Sequence, residues 1–251
     1  MTTQDTADVT GIHDLLGGSQ EPLVVATRGP VRFLIFNRPD ARNAMSRTMR
    51  QEYARQMQAA DADPAVDVVV VTGAHGYFSS GVDLKENPSG TIIPMVRPHP
   101  VEVTRAMAKP VLAMVDGPCV TGGLEVALSC GFIIASDRSR FVDTHIKIGK
   151  FPGWGLISLL SSVIGARRAQ QMQITGEFVS AQKAYEWGIV NELTTPETLL
   201  SRCLEIAAAI SACNAGAVGR YIALSRRIDG TPVETALAAE LVEVERFRAG
   251  I

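Results

Sequence analysis

Apolar and polar positions change period along this chain, and each change marks an element. Leu23 to Thr27 and Val31 to Phe36 are short β-runs separated by Arg28-Gly29-Pro30, which predicts a hairpin with a three-residue link. Met45, Met49, Tyr53 and Met57 recur every four residues, predicting a helix from about Ser46 to Ala60 with one apolar stripe. A methionine-rich binding face has the same spacing, but core packing is the simpler account. Asp67 to Thr72 contains four consecutive valines, the mark of a strand covered on both faces. Lys109-Pro110 then leads into a strand from Val111 to Val115, a turn through Asp116-Gly117-Pro118, and a helix entered at Gly122-Gly123.

Gly131 to Ala135 and Arg140 to Val142 read as further short strands, and Phe151-Pro152-Gly153-Trp154-Gly155 as a turn cluster opening a helix to Ile164. Beyond it the pattern is mostly helical. Thr195-Pro196 and Thr231-Pro232-Val233-Glu234 are helix starts, the second with a capping box and proline at the first helical position. Val233, Leu237, Leu241 and Val244 give the last helix a stripe suited to docking on the body or on a neighbour. These elements predict an α/β chain with a loose polar tail over 1–20, a core over 21–195 and a helical region over 196–251.

Composition narrows the partners. The 251 residues are 46% hydrophobic and 20% charged with a net charge of −2, and no lysine or arginine cluster calls for nucleic acid or a membrane surface. The N-terminus has no basic segment followed by an apolar one, and no run reaches the roughly 18 apolar residues of a membrane span, so the expectation is cytoplasmic. Cys119, Cys130, Cys203 and Cys213 lack C-x-x-C spacing and are expected as buried free thiols in a reducing compartment, with no metal.

Candidate chemistry concentrates at Cys119 to Cys130, an apolar run opened by Gly122-Gly123 and interrupted by Glu125. The first turn of a helix there offers free N–H groups and the positive end of the dipole to an oxygen gaining charge. Adjacent glycines serve helix packing equally well, and both readings stand on the residues alone. The loop Gly73 to Lys85 has glycines that allow tight turns and main-chain exposure to a ligand. Asn87 to Pro100, with four prolines, is not expected to be helical and is long enough to shape a pocket.

Five segments in order resemble the crotonase superfamily, the enoyl-CoA hydratase and isomerase family. They are Asn37-Arg38-Pro39 through Asn43-Ala44, Phe78 through Ser80, Gly81, Val82, Asp83, Leu84 and Lys85, Lys109-Pro110 through Gly123 and Glu125, Phe141 through Pro152-Gly153, and Thr175-Gly176 through Asn191. The resemblance implies a spiral of ββα units, a helical C-terminal region mediating a homotrimer or dimer of trimers, and an acyl-CoA thioester as ligand. Coenzyme A would be part of the substrate, with no resident cofactor. By the same resemblance the main-chain N–H groups of Val82 and Gly122 hold the thioester oxygen, Glu125 is the first catalytic acid, and Ser80, Asp83, Leu84, Lys85, Gly123 and Trp154 border substrate or CoA. Arg42 is a weaker candidate for a phosphate contact.

Two departures stand out. The family's second glutamate is replaced within Asp143-Thr144-His145, so His145 is the candidate partner of Glu125, expected to face it across about one water. The other reading of His145 is a neutral hydrogen-bonding core residue, and Asp143 is the less favoured substitute. Trp154 stands where the family has a small residue, which implies a narrowed acyl pocket. The chain ends at Ile251 without the acidic and aromatic segment of relatives, which leaves the adenine end of the site open. The expectation is an enoyl-CoA hydratase-like lyase; an isomerase or decarboxylase on the same enolate platform and a non-catalytic acyl-CoA binding protein are the alternatives.

Overall fold

The computed structural model describes residues 11–86 and 97–249, apart from the side chains of 233, 234, 248 and 249. A six-stranded sheet runs through the middle in the order β1 (Leu23–Arg28), β2 (Val31–Phe36), β3 (Val68–Gly73), β4 (Val111–Val115), β6 (Phe132–Ser136) and β9 (Glu192–Thr194). The β1–β2 pair is antiparallel and every later neighbour is parallel. A smaller three-stranded sheet joins β5 (Pro118–Val120), β7 (Arg140–Val142) and β8 (Val179–Ser180).

The chain climbs by repeating one unit. A strand of the large sheet is followed by a short strand of the small sheet and then a helix: β4, β5 and α4 (Gly122–Ser129), then β6, β7 and α5 (Leu156–Ile164). After β3 the small-sheet step shrinks to a single bridge between Ser79 and Cys119, and α3 (Pro100–Ala106) follows. This is the ββα spiral that the resemblance implied.

Strand periodicity explains why the large sheet is buried on both sides. Side chains alternate across a strand, so Val69 and Val71 enter one core while Val68 and Val70 enter the other. The first core holds α2 (Arg47–Ala62), whose Met49, Tyr53 and Met57 are buried as the four-residue spacing required, together with α4 and α5. The second is closed by α1 (Ile12–Leu16) and α8 (Leu199–Ser211) through Leu16, Leu199, Leu200, Cys203 and Ala207.

Several expected boundaries move. The hairpin link is two residues, since β1 continues through Arg28 and Gly29 adopts φ 56°. Within the stretch expected to be loose, α1 forms and buries Leu16; residues 1–10 lie outside the described part. Thr195-Pro196 does not begin a helix: α8 starts at Leu199, while α10 (Val233–Ala249) starts as expected just after Thr231-Pro232. The capping box at Glu234 and most of the proline-rich segment, 87–96, also fall outside the described residues. Along α10, Leu237, Leu241 and Val244 are exposed, so this stripe does not dock on the body of its own chain. Cys119 and Cys203 are buried thiols, but Cys213 is exposed and Cys130 half-buried.

Candidate functional site

Two loops meet at the mouth of the small sheet. Asn43 fixes the first, its Nδ2 donating to the carbonyls of Ala74 and Tyr77 at 2.8 and 2.7 Å and its Oδ1 accepting from Arg38 N–H at 2.8 Å. Met45 then clasps the next turn, donating to Gly81 O at 2.7 Å and accepting from Asp83 N–H at 3.1 Å. Val82 is thereby held between two main-chain bonds that do not use its own N–H, while its side chain packs against the core.

The second loop is the entry to α4. A Cβ on Gly122 would lie 3.4 Å from Val82 N, and one on Gly81, which sits at φ 92°, would lie 3.1 Å from Gly122 N. The two amides are therefore neighbours, and larger side chains would push them apart. Among the described residues neither N–H has a main-chain carbonyl partner. Gly123 has a different reason to be glycine: a Cβ there would fall 2.7 Å from the Ser79 carbonyl oxygen. So the adjacent pair serves both of its readings, Gly122 at the amide pair and Gly123 in packing.

Thr121, between β5 and α4, has φ 53° and ψ −110°, an uncommon conformation for a β-branched residue. Its N–H donates to Val142 O at 2.9 Å, and its hydroxyl bonds the Thr144 hydroxyl at 2.7 Å and accepts from Thr144 N–H at 3.2 Å. These bonds hold the backbone turn that presents Gly122.

Glu125, one turn into α4, is only 2% exposed. Its Oε1 accepts from the N–H groups of Trp154 and Leu156 at 2.9 and 3.2 Å, leaving Oε2 without a hydrogen-bond partner among the described residues. Burial raises its pKa above the ordinary carboxylate value, opposed by the Trp154 amide, by the nearby His145 and by the Leu156 amide, and reinforced by Asp143. Glu125, His145 and Asp143 thus share one electrostatic neighbourhood.

His145 does not hydrogen-bond Glu125. Its Nδ1 lies 2.7 Å from Asp143 Oδ1, which also accepts the His145 main-chain N–H at 2.9 Å. Asp143 is fully buried, and its Oδ2 has no hydrogen-bond partner among the described residues. Against an ionised carboxylate Nδ1 carries the proton, which leaves Nε2 as the working nitrogen. Asp143, the less favoured substitute for the family's second acid, is thus hydrogen-bonded to the candidate His145 itself.

The remaining candidates divide. Trp154, 7% exposed, places Cζ3 3.3 Å from a Cβ built on Gly122 and stacks on His99 with ring centroids 5.8 Å apart. It therefore borders the amide pair. Asp83 turns inward, pairing with Arg38 Nη1 at 2.9 Å and accepting from Lys85 N–H at 3.1 Å, so it shapes the loop. Ser80 donates its hydroxyl to Ala41 O at 3.1 Å and its N–H to Arg42 O at 3.0 Å, also a loop contact. Leu84 and Lys85 are exposed beside Val82. Arg42, also exposed, has its guanidinium 5.9 Å from the Tyr77 ring centroid. Among the described residues no group of three or more His, Cys, Asp or Glu forms a metal site.

Sequence reasoning missed Thr121, His99 and Arg50. Thr121 carries no signal because a positive φ is a property of the turn; Arg50 and His99 look like surface polar residues until α2, α3 and the Trp154 loop close around them.

The fold is thus an α/β spiral of ββα units in which the Val82 and Gly122 amides meet one helical turn before a buried carboxylate. The family profile described as "Enoyl-CoA hydratase/isomerase" matches residues 27–241. The chain belongs to that family. It is similar to "Probable enoyl-CoA hydratase 1, peroxisomal" of Arabidopsis thaliana, 34% identical over 88% of this chain and 83% of the relative. Among solved structures it is similar to an enoyl-CoA hydratase from Mycobacterium tuberculosis H37Rv (38% identity, TM-score 0.77, covering 91% of this chain and 100% of that one). It is also similar to an enoyl-CoA hydratase from Bacillus anthracis (27% identity, TM-score 0.84, covering 90% of each).

Proposed function

We propose that the protein hydrates a 2-enoyl-CoA thioester, the reaction named for the relatives. The observation that carries this reading is the pair of neighbouring N–H groups at Val82 and Gly122, without main-chain partners among the described residues, with Glu125 buried one helical turn beyond Gly122. The thioester oxygen sits on the two amides. Glu125 takes a proton from a water whose oxygen bonds C3; the double-bond electrons move toward the thioester, and the amides receive the enolate charge. Each such donor contributes on the order of 2.7–4 kcal/mol to the barrier. The free Nε2 of His145, whose ring Asp143 holds by Nδ1, takes that proton from Glu125 through solvent and delivers it to C2. The net change is one water added.

The same platform supports proton migration or decarboxylation, and the locking of His145 onto Asp143 rather than Glu125 favours this second reading. Product mass separates the two, because only hydration adds a water. Mass-resolved turnover of crotonyl-CoA by wild type and Glu125→Gln tests the assignment: unchanged hydration by the variant removes Glu125 from the chemistry. We further propose a cytoplasmic homotrimer or dimer of trimers that uses CoA only as part of its substrate; the exposed Phe151, Tyr221 and Leu241 suit subunit contacts.

A further inference from the structure

Arg50 projects from α2 into the protein and is 3% exposed. Its Nε donates to Ser46 O at 3.3 Å. The carboxylate it approaches, Oε2 of Glu86, stands 3.9 Å from Nη2, beyond hydrogen-bond reach, and already accepts the Arg47 N–H at 2.8 Å. Nη2 is buried with no hydrogen-bond partner among the described residues.

The position of this unmet donor matters. The guanidinium carbon lies 6.0 Å from the centroid of the Trp154 ring, and the same indole reaches Gly122 with Cζ3. Glu86 ends the short helical turn that follows Val82, Asp83 and Leu84. Arg50 is therefore one indole away from Gly122 and close to the turn that follows Val82. His99, stacked on Trp154, is held neutral: burial first, and then the charge of Arg97, lowers its pKa to about 4, so it adds no second positive charge on that ring.

A buried charged donor with an unmet Nη2, and with its carboxylate partner Glu86 as far as 3.9 Å away, is costlier than a neutral donor in the same state. The guanidinium fork fits a carboxylate edge to edge, and the apolar indole of Trp154 lies between it and Gly122. The CoA phosphates, which stay solvated, do not suit a donor at this depth. Resting on the acyl-CoA reading above, we propose that Arg50 determines specificity by receiving a carboxylate at the far end of the acyl chain, so that the substrates are thioesters of dicarboxylic acids.

Adipyl-CoA and hexanoyl-CoA test this directly, being matched in length, identical in their CoA portion and unable to react without a double bond. Calorimetric titration of the full chain should show wild type binding adipyl-CoA at least about tenfold more tightly, and Arg50→Met losing that preference. Arg50→Lys, which keeps the charge without the planar fork, should retain only part of it. Equal affinities in wild type, or a preference that survives in Arg50→Met, overturn the proposal; the wild-type comparison decides even if the variants do not fold. Equal binding of both esters leaves the acyl-CoA reading standing, whereas binding of neither overturns both.

Discussion

His145 Nδ1 lies 2.7 Å from Oδ1 of a fully buried Asp143, so the imidazole is oriented by its own strand-end neighbour and not by Glu125. In the proposed mechanism the pair fixes the ring of His145 for acid-base work before substrate arrives. Replacing Asp143 by Asn puts an amide where the ring needs a pure acceptor. Hydration should fall by roughly ten- to a hundredfold in kcat, short of the 10²–10⁴ of full acid-base loss. Steady-state rates across pH, with the affinity for a saturated thioester measured alongside, check this. An unaltered kcat and pH profile would make the pair a packing feature.

Glu125→Gln keeps an oxygen for the Trp154 and Leu156 amides while removing the base. Turnover should drop by about 10²–10⁴. Stability should move the other way. Because burial raises the folded-state pKa, the folded protein holds the Glu125 proton more tightly than the unfolded chain does. The ionised form therefore destabilises: its penalty is absent below the ordinary carboxylate range and complete above the folded pKa. The melting temperature of Glu125→Gln should exceed that of wild type at neutral pH, and the gap should close on acidification.

His99 carries a second pH dependence. It caps α3, its Nδ1 accepting the Glu102 N–H at 3.2 Å, and its pKa is lowered from 6.5 to about 4 by burial and then by Arg97. A base with a depressed folded pKa contributes stability that is present above pH 6.5 and lost as pH falls toward 4. The loss should be on the order of 1–3 kcal/mol. His99→Asn preserves a cap acceptor without the titration, so denaturant midpoints should lose this part of their pH slope.

Thr121 tests whether the turn before α4 presents the Gly122 amide. Thr121→Val removes the hydroxyl bonds to Thr144 while keeping the strained, β-branched backbone, and should destabilise by about 1–2 kcal/mol. If those bonds position the amide, kcat should fall with little change in the binding of a saturated thioester. Thr121→Gly relaxes the positive φ but leaves Thr144 unpartnered, so its stability should lie nearer wild type. Identical kcat in all three would detach Thr121 from the site.

Much of the architecture was legible because side-chain periodicity reports which face an element buries. The Met49, Tyr53 and Met57 stripe and the two-sided burial of Val68 through Val71 follow from spacing alone. The segments meeting at the site, Gly81-Val82, Gly122-Gly123 and Glu125, were also marked by residue type, since glycine where chains approach and a carboxylate in an apolar run are local signals.

Periodicity names a face but never a partner, and the remaining features depend on partners. Nothing local states that Asp143 takes the His145 ring, that Asp83 turns to Arg38, or that Oε1 of Glu125 collects amides from residues 29 and 31 positions away. The burial of Arg50 is the strongest case, because its α2 position reads as solvent-facing until Trp154 and the Val82 loop fold over it. Sequence therefore determined the strands, the helix faces and the residues able to do chemistry. Only the tertiary structure decided which polar atoms meet, because hydrogen bonds act over about 3 Å and those distances are set by packing between elements remote in the chain.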